Sequence, residues 1–66
     1  MPLGTVKWFS ESKGIGAIRV DSGVEVAVHF SAIRDDGLRT LAKGEEVRLE
    51  IRETERGLQA ANVHRH

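Results

Sequence analysis

The side chains able to do chemistry in this chain are few, and most of them point away from catalysis. Ser10, Ser12, Ser22 and Ser31 supply hydroxyls, and His29 could serve one of them as a base. Such a pair needs a third group to orient the base and a site that excludes water. No third group can be named, so no catalytic residue is assigned and the chain is not expected to be an enzyme. Asp35-Asp36 and Glu45-Glu46 are adjacent carboxylates between apolar runs, and read as solvated charge. His64 and His66 could share one side of an extended segment, but a structural zinc site needs four ligands. With no cysteine in the chain and no carboxylate beside them, they read as a frayed polar tail. No metal and no cofactor is expected. What remains is a set of rings, Trp8, Phe9, His29 and Phe30, interleaved with the cations Lys7, Lys13, Arg19, Arg34, Arg39 and Arg56. Rings stack on flat partners, and cations can track a phosphate backbone.

The elements that must position these groups begin with Lys13–Ile18 and Val24–Phe30. Residues two apart in a strand share a face. Lys13, Ile15, Ala17 and Arg19 then share one face, and Gly14, Gly16, Ile18 and Val20 the other. In the second segment Val24, Val26 and Val28 alternate with Glu25, Ala27 and His29, and Phe30 closes the run. Asp21-Ser22-Gly23 joins the two as a polar turn, which predicts a β-hairpin. Ile18, Val20, Val26 and Val28 are its inward face. Lys13, Ile15, Ala17, Arg19, Ala27 and His29 are its outward face. The glycine-rich start lacks the spacing and the Lys-Ser/Thr pair of a phosphate loop. Its glycines instead permit the curvature of a small barrel.

Leu3–Ser10 predicts the first strand. Strict alternation sets Trp8 with Val6 and Gly4, and Phe9 with Lys7 and Thr5. A bulge at Gly4 would reset that pattern, so the pattern leaves open which ring faces out. Ser31 is placed to cap a single helical turn, with Asp35 and Asp36 near its start, and Ile33 turns inward. Arg34–Lys43 predicts an ordered loop. Glu46–Glu53 alternates cleanly, with Val47, Leu49 and Ile51 facing inward. Leu58–Val63 is the last strand. Five short strands without a long helix predict an all-β, antiparallel small barrel.

Sixty-six residues make one domain, spanning 1–66. A chain of that size buries about 60% of its unfolded surface and is stable by roughly 3–5 kcal/mol. Ten basic and ten acidic residues cancel, which argues against a duplex-DNA binder but not against a single-strand binder that shares the work with stacking. No apolar run reaches the roughly 20 residues of a membrane span, no signal peptide is expected, and the expected compartment is cytoplasmic.

Gly4-Thr5-Val6-Lys7-Trp8-Phe9, Lys13-Gly14-x-Gly16-x-Ile18, Val28-His29-Phe30-Ser31-Ala32-Ile33 and Gln59-Ala60-Ala61-Asn62-Val63 together resemble the bacterial cold shock proteins, nearly end to end. The resemblance implies a five-stranded OB-fold barrel that binds single-stranded RNA or DNA, as an RNA chaperone or transcription antiterminator. It implies Lys7, Trp8, Phe9, Lys13, Ile15, His29, Phe30, Arg56 and Gln59 as the binding residues. Trp8, Phe9, His29 and Phe30 would stack bases, Lys7 and Lys13 would hold phosphates, and Gln59 would reach base edges. The family carries phenylalanine where this chain has Ile15, Ala17, Ala27 and Leu38, and proline where it has Leu58. The missing rings predict weakened or altered affinity, and the missing proline a less rigid loop. The lost rings also support a second reading, in which the fold has lost strong nucleic-acid binding and acts through protein partners or as an engineered scaffold. No small-molecule substrate and no membrane partner is expected. A monomer is expected, with a swapped or edge-paired dimer open to any small barrel with long loops.

Overall fold

The computed structural model describes residues 1–35, 37 and 39–66. Among these, five strands run as β1 (Leu3–Ser10), β2 (Ile15–Val20), β3 (Glu25–His29), β4 (Glu46–Thr54) and β5 (Gly57–Arg65), with a 3-10 turn over Phe30–Ala32 between β3 and β4. They form a closed barrel in the order β1-β2-β3-β5-β4. The pairing is antiparallel as expected except at one seam, where β3 and β5 run parallel through Ala27 and Gln59. The reason is arithmetic. Strands that alternate in direction around a ring of odd number must leave one like-directed pair. Ile33 and Val63 extend that seam with a parallel bridge.

The core follows the period-2 pattern. Ile18 and Val20, Val26 and Val28, and Val47 and Leu49 are buried in pairs, joined by Val6, Ile33, Leu41, Ala60 and Val63. Two valine and isoleucine positions depart from it. Val24 stands at the turn and is 41% exposed, and Ile51, expected inside, is 37% exposed. β1 covers β4 only from Glu46 to Arg48, and the β4–β5 register shifts between Arg48 and Glu50. Beyond that point β4 is paired on one side only, by β5, so Ile51 lies past the cover that β1 gives.

The alternation of β1 is reset not at Gly4 but by a bulge at Lys7, where the β1–β2 register shifts between Val6 and Trp8. One extra residue there breaks the alternation, so Val6 is buried at 1% while Trp8 is 46% exposed. Gly14 and Gly16 serve close approach. A Cβ on Gly16 would lie 2.4 Å from the Trp8 carbonyl oxygen and 2.7 Å from the Phe9 ring. Gly14 holds φ 68°, and a Cβ there would lie 2.7 Å from the Phe30 ring.

Ser31 does not cap the 3-10 turn but lies within it. His29 is the cap, its Nδ1 accepting from the Ser31 amide at 3.2 Å and lying 2.7 Å from Oγ of Ser31. Asp35 follows the turn and pairs with Arg65; Asp36 and Leu38 lie outside the described residues. Arg65 also donates from Nε to Glu45 at 2.6 Å and to the Thr40 carbonyl, so one guanidinium ties the long connection to the end of β5. The C-terminal segment is therefore not frayed. His64 pairs with Arg48, and the His66 amide donates to the Glu46 carbonyl at 3.1 Å. β4 thus carries Leu3 and Gly4 on one edge and His64 and Arg65 on the other.

Candidate nucleic-acid interface

The outward face of β1, β2 and β3, with the adjoining β5, sets four of the nine expected binding residues, Trp8, Ile15, His29 and Gln59, into cross-strand rows. One row runs Ser10, Ile15, His29 and the next runs Trp8, Ala17, Ala27, then Gln59 on β5. A third sets Thr5 beside Arg19 and Arg19 beside Glu25. Trp8, Ile15 and Phe30 are 46%, 40% and 41% exposed, a concentration of apolar surface on one side of the barrel. The imidazole of His29 and the Phe30 ring lie 4.5 Å apart with a 37° tilt. Phe30 is held over Gly14, and its amide donates to the Gly14 carbonyl at 2.8 Å. Lys13 and Arg39 line a cleft of about 290 Å³ beside Phe30, together with Glu11, Ser12 and Gly14.

The remaining candidates stand differently. Phe9 is half-buried and packs against the core. Lys7 donates to Glu25 Oε2 at 2.8 Å, and Arg19 donates to the same oxygen at 2.8 Å. Those bonds, Lys7 first, hold the Glu25 carboxyl below its ordinary range. Arg56 occupies the turn between β4 and β5, its amide donating to Thr54 Oγ1 at 3.1 Å. Arg34 is turned elsewhere, donating to Asn62 Oδ1 and the Ser31 carbonyl. Asn62, at φ 48°, donates in turn to Glu50, which its amide and then Arg52 keep below the usual carboxylate range. Alternation sets Glu25 on this face with Ala27 and His29, but its pairing with Lys7 and Arg19 goes beyond that reading. The signal was present, because a short hairpin turn sets Arg19 opposite Glu25 and makes an ion pair across the strands.

Among the described residues no group of three or more histidines, carboxylates or cysteines converges to hold a metal. A shallow, ring-bearing strand face flanked by cations suits stacking on bases and contact with phosphates.

A closed five-stranded barrel in the order β1-β2-β3-β5-β4 is of the OB-fold kind. Residues 3–66 match the "Cold-shock" DNA-binding domain family, and the chain belongs to it as a nucleic-acid-binding protein of the cold-shock type. It is 56% identical over 63 residues to the cold shock-like protein CspD of Bacillus cereus, covering 96% of each chain. It is 52% identical over 63 residues to the cold shock protein CspB of Bacillus caldolyticus, again over 96% of each. The resemblance to bacterial cold shock proteins therefore holds. Its fold is similar to the solved drosophila Unr CSD456, with a TM-score of 0.80 at 23% identity, covering 98% of this chain and 26% of that one.

Proposed function

We propose that this chain binds single-stranded RNA or DNA across the β1–β2–β3 face, with lower affinity than a complete aromatic platform would give. The observation that carries the reading is Trp8, turned outward by the Lys7 bulge onto the same side as His29 and Phe30. Trp8, His29 and Phe30 stack bases, and Ile15 offers an apolar rest without a π-face. Lys13 and Lys7 meet phosphates, Gln59 reaches a base edge beside Ala27, and Arg56 reaches the strand from the β4–β5 turn. Phe9, next to Trp8 in the chain, packs against the core. Held unpaired in this way, bases cannot re-form weak secondary structure, which is the work of an RNA chaperone or transcription antiterminator. The chain acts as a monomer in the cytoplasm and takes no small-molecule substrate. No helix among the described residues is long and apolar enough to cross a membrane.

The test is a titration of Trp8 fluorescence with a short pyrimidine-rich single strand, at low and at physiological salt. Quenching with a micromolar or tighter Kd at physiological salt supports the proposal. Binding at low salt alone reduces the activity to phosphate attraction. No response at low salt, checked by a probe independent of Trp8, overturns the reading in favour of a barrel that works through protein partners.

A further inference from the structure

We infer that the bound strand does not end at Trp8 but continues off the stacking face into a second cleft, where its phosphates meet Lys43, Arg19 and Lys7. This rests on the reading of the β1–β2–β3 face as a single-strand interface.

The cleft, of about 420 Å³, is lined by Thr5, Val6, Lys7, Arg19, Lys43 and Gly44. Three of those six residues are cations and none is an acid. It adjoins the stacking face through Lys7, the bulge residue next to Trp8, and through Arg19, two residues beyond Ala17 on the same side of β2. Its backbone is anchored. Gly44 donates to the Val6 carbonyl at 2.8 Å and Val6 donates to the Glu45 carbonyl at 2.9 Å, while Glu45 is gripped by Arg65. Lys43 is therefore carried on a fixed stretch of chain, and its ammonium has no side-chain partner among the described residues.

Glu25 bears on the same cations and does not cancel them. Its single carboxylate is shared by Lys7 and Arg19, so that trio keeps a positive excess, to which Lys43 adds. The side chains of Lys7, Arg19 and Glu25 are 47%, 56% and 41% exposed. Ion pairs so exposed are weak and screened, and a phosphate can displace the carboxylate from either cation. Cations then flank the rings at both ends, with Lys13 and Arg39 beside Phe30 and Lys7, Arg19 and Lys43 beyond Trp8.

The experiment compares a pyrimidine strand of about 4 nucleotides, enough for the rings alone, with one of about 12, both within the range that OB-folds occupy. Wild type, Lys43→Ala and Lys43→Glu are titrated with each over a salt series, by Trp8 fluorescence and by filter retention. The expected result is a several-fold loss of affinity for the longer strand in Lys43→Ala, larger in Lys43→Glu. The salt slope should fall by about 0.7 for the one phosphate contact removed, with the shorter strand unaffected. Equal loss on both lengths, or wild-type affinity and slope on the longer strand, overturns the extended path while leaving the stacking face intact. Failure of wild type to bind either strand overturns the face and the path together.

Discussion

Ala17 and Ala27 lie side by side in the middle of the outward face, between Trp8 and Gln59. Ala27 is exposed and Ala17 half-buried, so neither needs to yield core volume to accept a ring. Stacking is worth about 1–3 kcal/mol per base, which is about 5- to 150-fold in affinity. The Ala17→Phe, Ala27→Phe double variant should therefore bind a pyrimidine single strand at least about tenfold more tightly, as read by competition with a labelled strand. Trp8→Ala should lose affinity by a factor in the same range, measured by filter retention because the fluorophore is gone. Gly16→Ala tests the close approach beneath the platform. With its Cβ 2.4 Å from the Trp8 carbonyl, β1 and β2 must separate. The urea midpoint should fall by the equivalent of about 1–3 kcal/mol, the ordinary cost of forcing atoms into a packed site. At this scale the residue types were legible and their orientation was not. Trp8 and Phe9 were recognisable as the rings of interest, but which of them faced out depended on a single extra residue in β1. A bulge at Lys7 leaves no signature in composition, because any residue can occupy it.

At the scale of elements, alternation located the strands and their inward positions wherever a second strand covered them. Val47 and Leu49 were read correctly by the same pattern that misplaced Ile51. Period-2 spacing assigns a side chain to a face, but only the pairing of β4 with β1 decides whether that face is covered. The long connection offered a different difficulty, since neither its loop character nor its two acidic neighbours revealed what restrains it. Arg65 does so by bonding Asp35, Thr40 and Glu45 at once. Arg65→Ala leaves two carboxylates without that partner. It should lower stability by about 1.5–3 kcal/mol, the range for hydrogen bonds to charged groups. Amide exchange should quicken across Thr40–Glu45 before it does so in β2 or β3. Equal acceleration everywhere would mean that the loop is held by Leu41 packing instead.

Across the whole molecule, the acidic and basic residues cancel in number yet are paired unevenly, and the pairing gives stability a pH dependence. Glu25 and Glu50 both have carboxyl groups held below their ordinary range in the folded state. A carboxyl more acidic when folded than when unfolded contributes stability at pH values above its unfolded value of about 4.5, and loses it as pH falls through the lower folded value. Stability should therefore decline on acidification below about pH 4.5. The acid limb of the urea-midpoint curve should be shallower in the Glu25→Gln, Glu50→Gln double variant. An identical slope would assign the acid sensitivity to other carboxylates. The class of fold was legible from five short strands and their turns, and the family from motifs spread along most of the chain. The parallel seam between β3 and β5 was not, because strand order is a property of closure rather than of any local pattern.

The flanking of β4 by both ends of the chain has a consequence for rewiring the protein. Leu3 and His64 pair with the same residue, Arg48, from opposite sides. They are thus two strand spacings apart, about 10 Å, a gap that a few residues of flexible linker can span. Covalently joining the two ends and opening the backbone at Ser22, in the solvent-facing β2–β3 turn, would produce a circular permutant with every ladder of the barrel intact. The order of synthesis would change while the order of strands around the barrel would not.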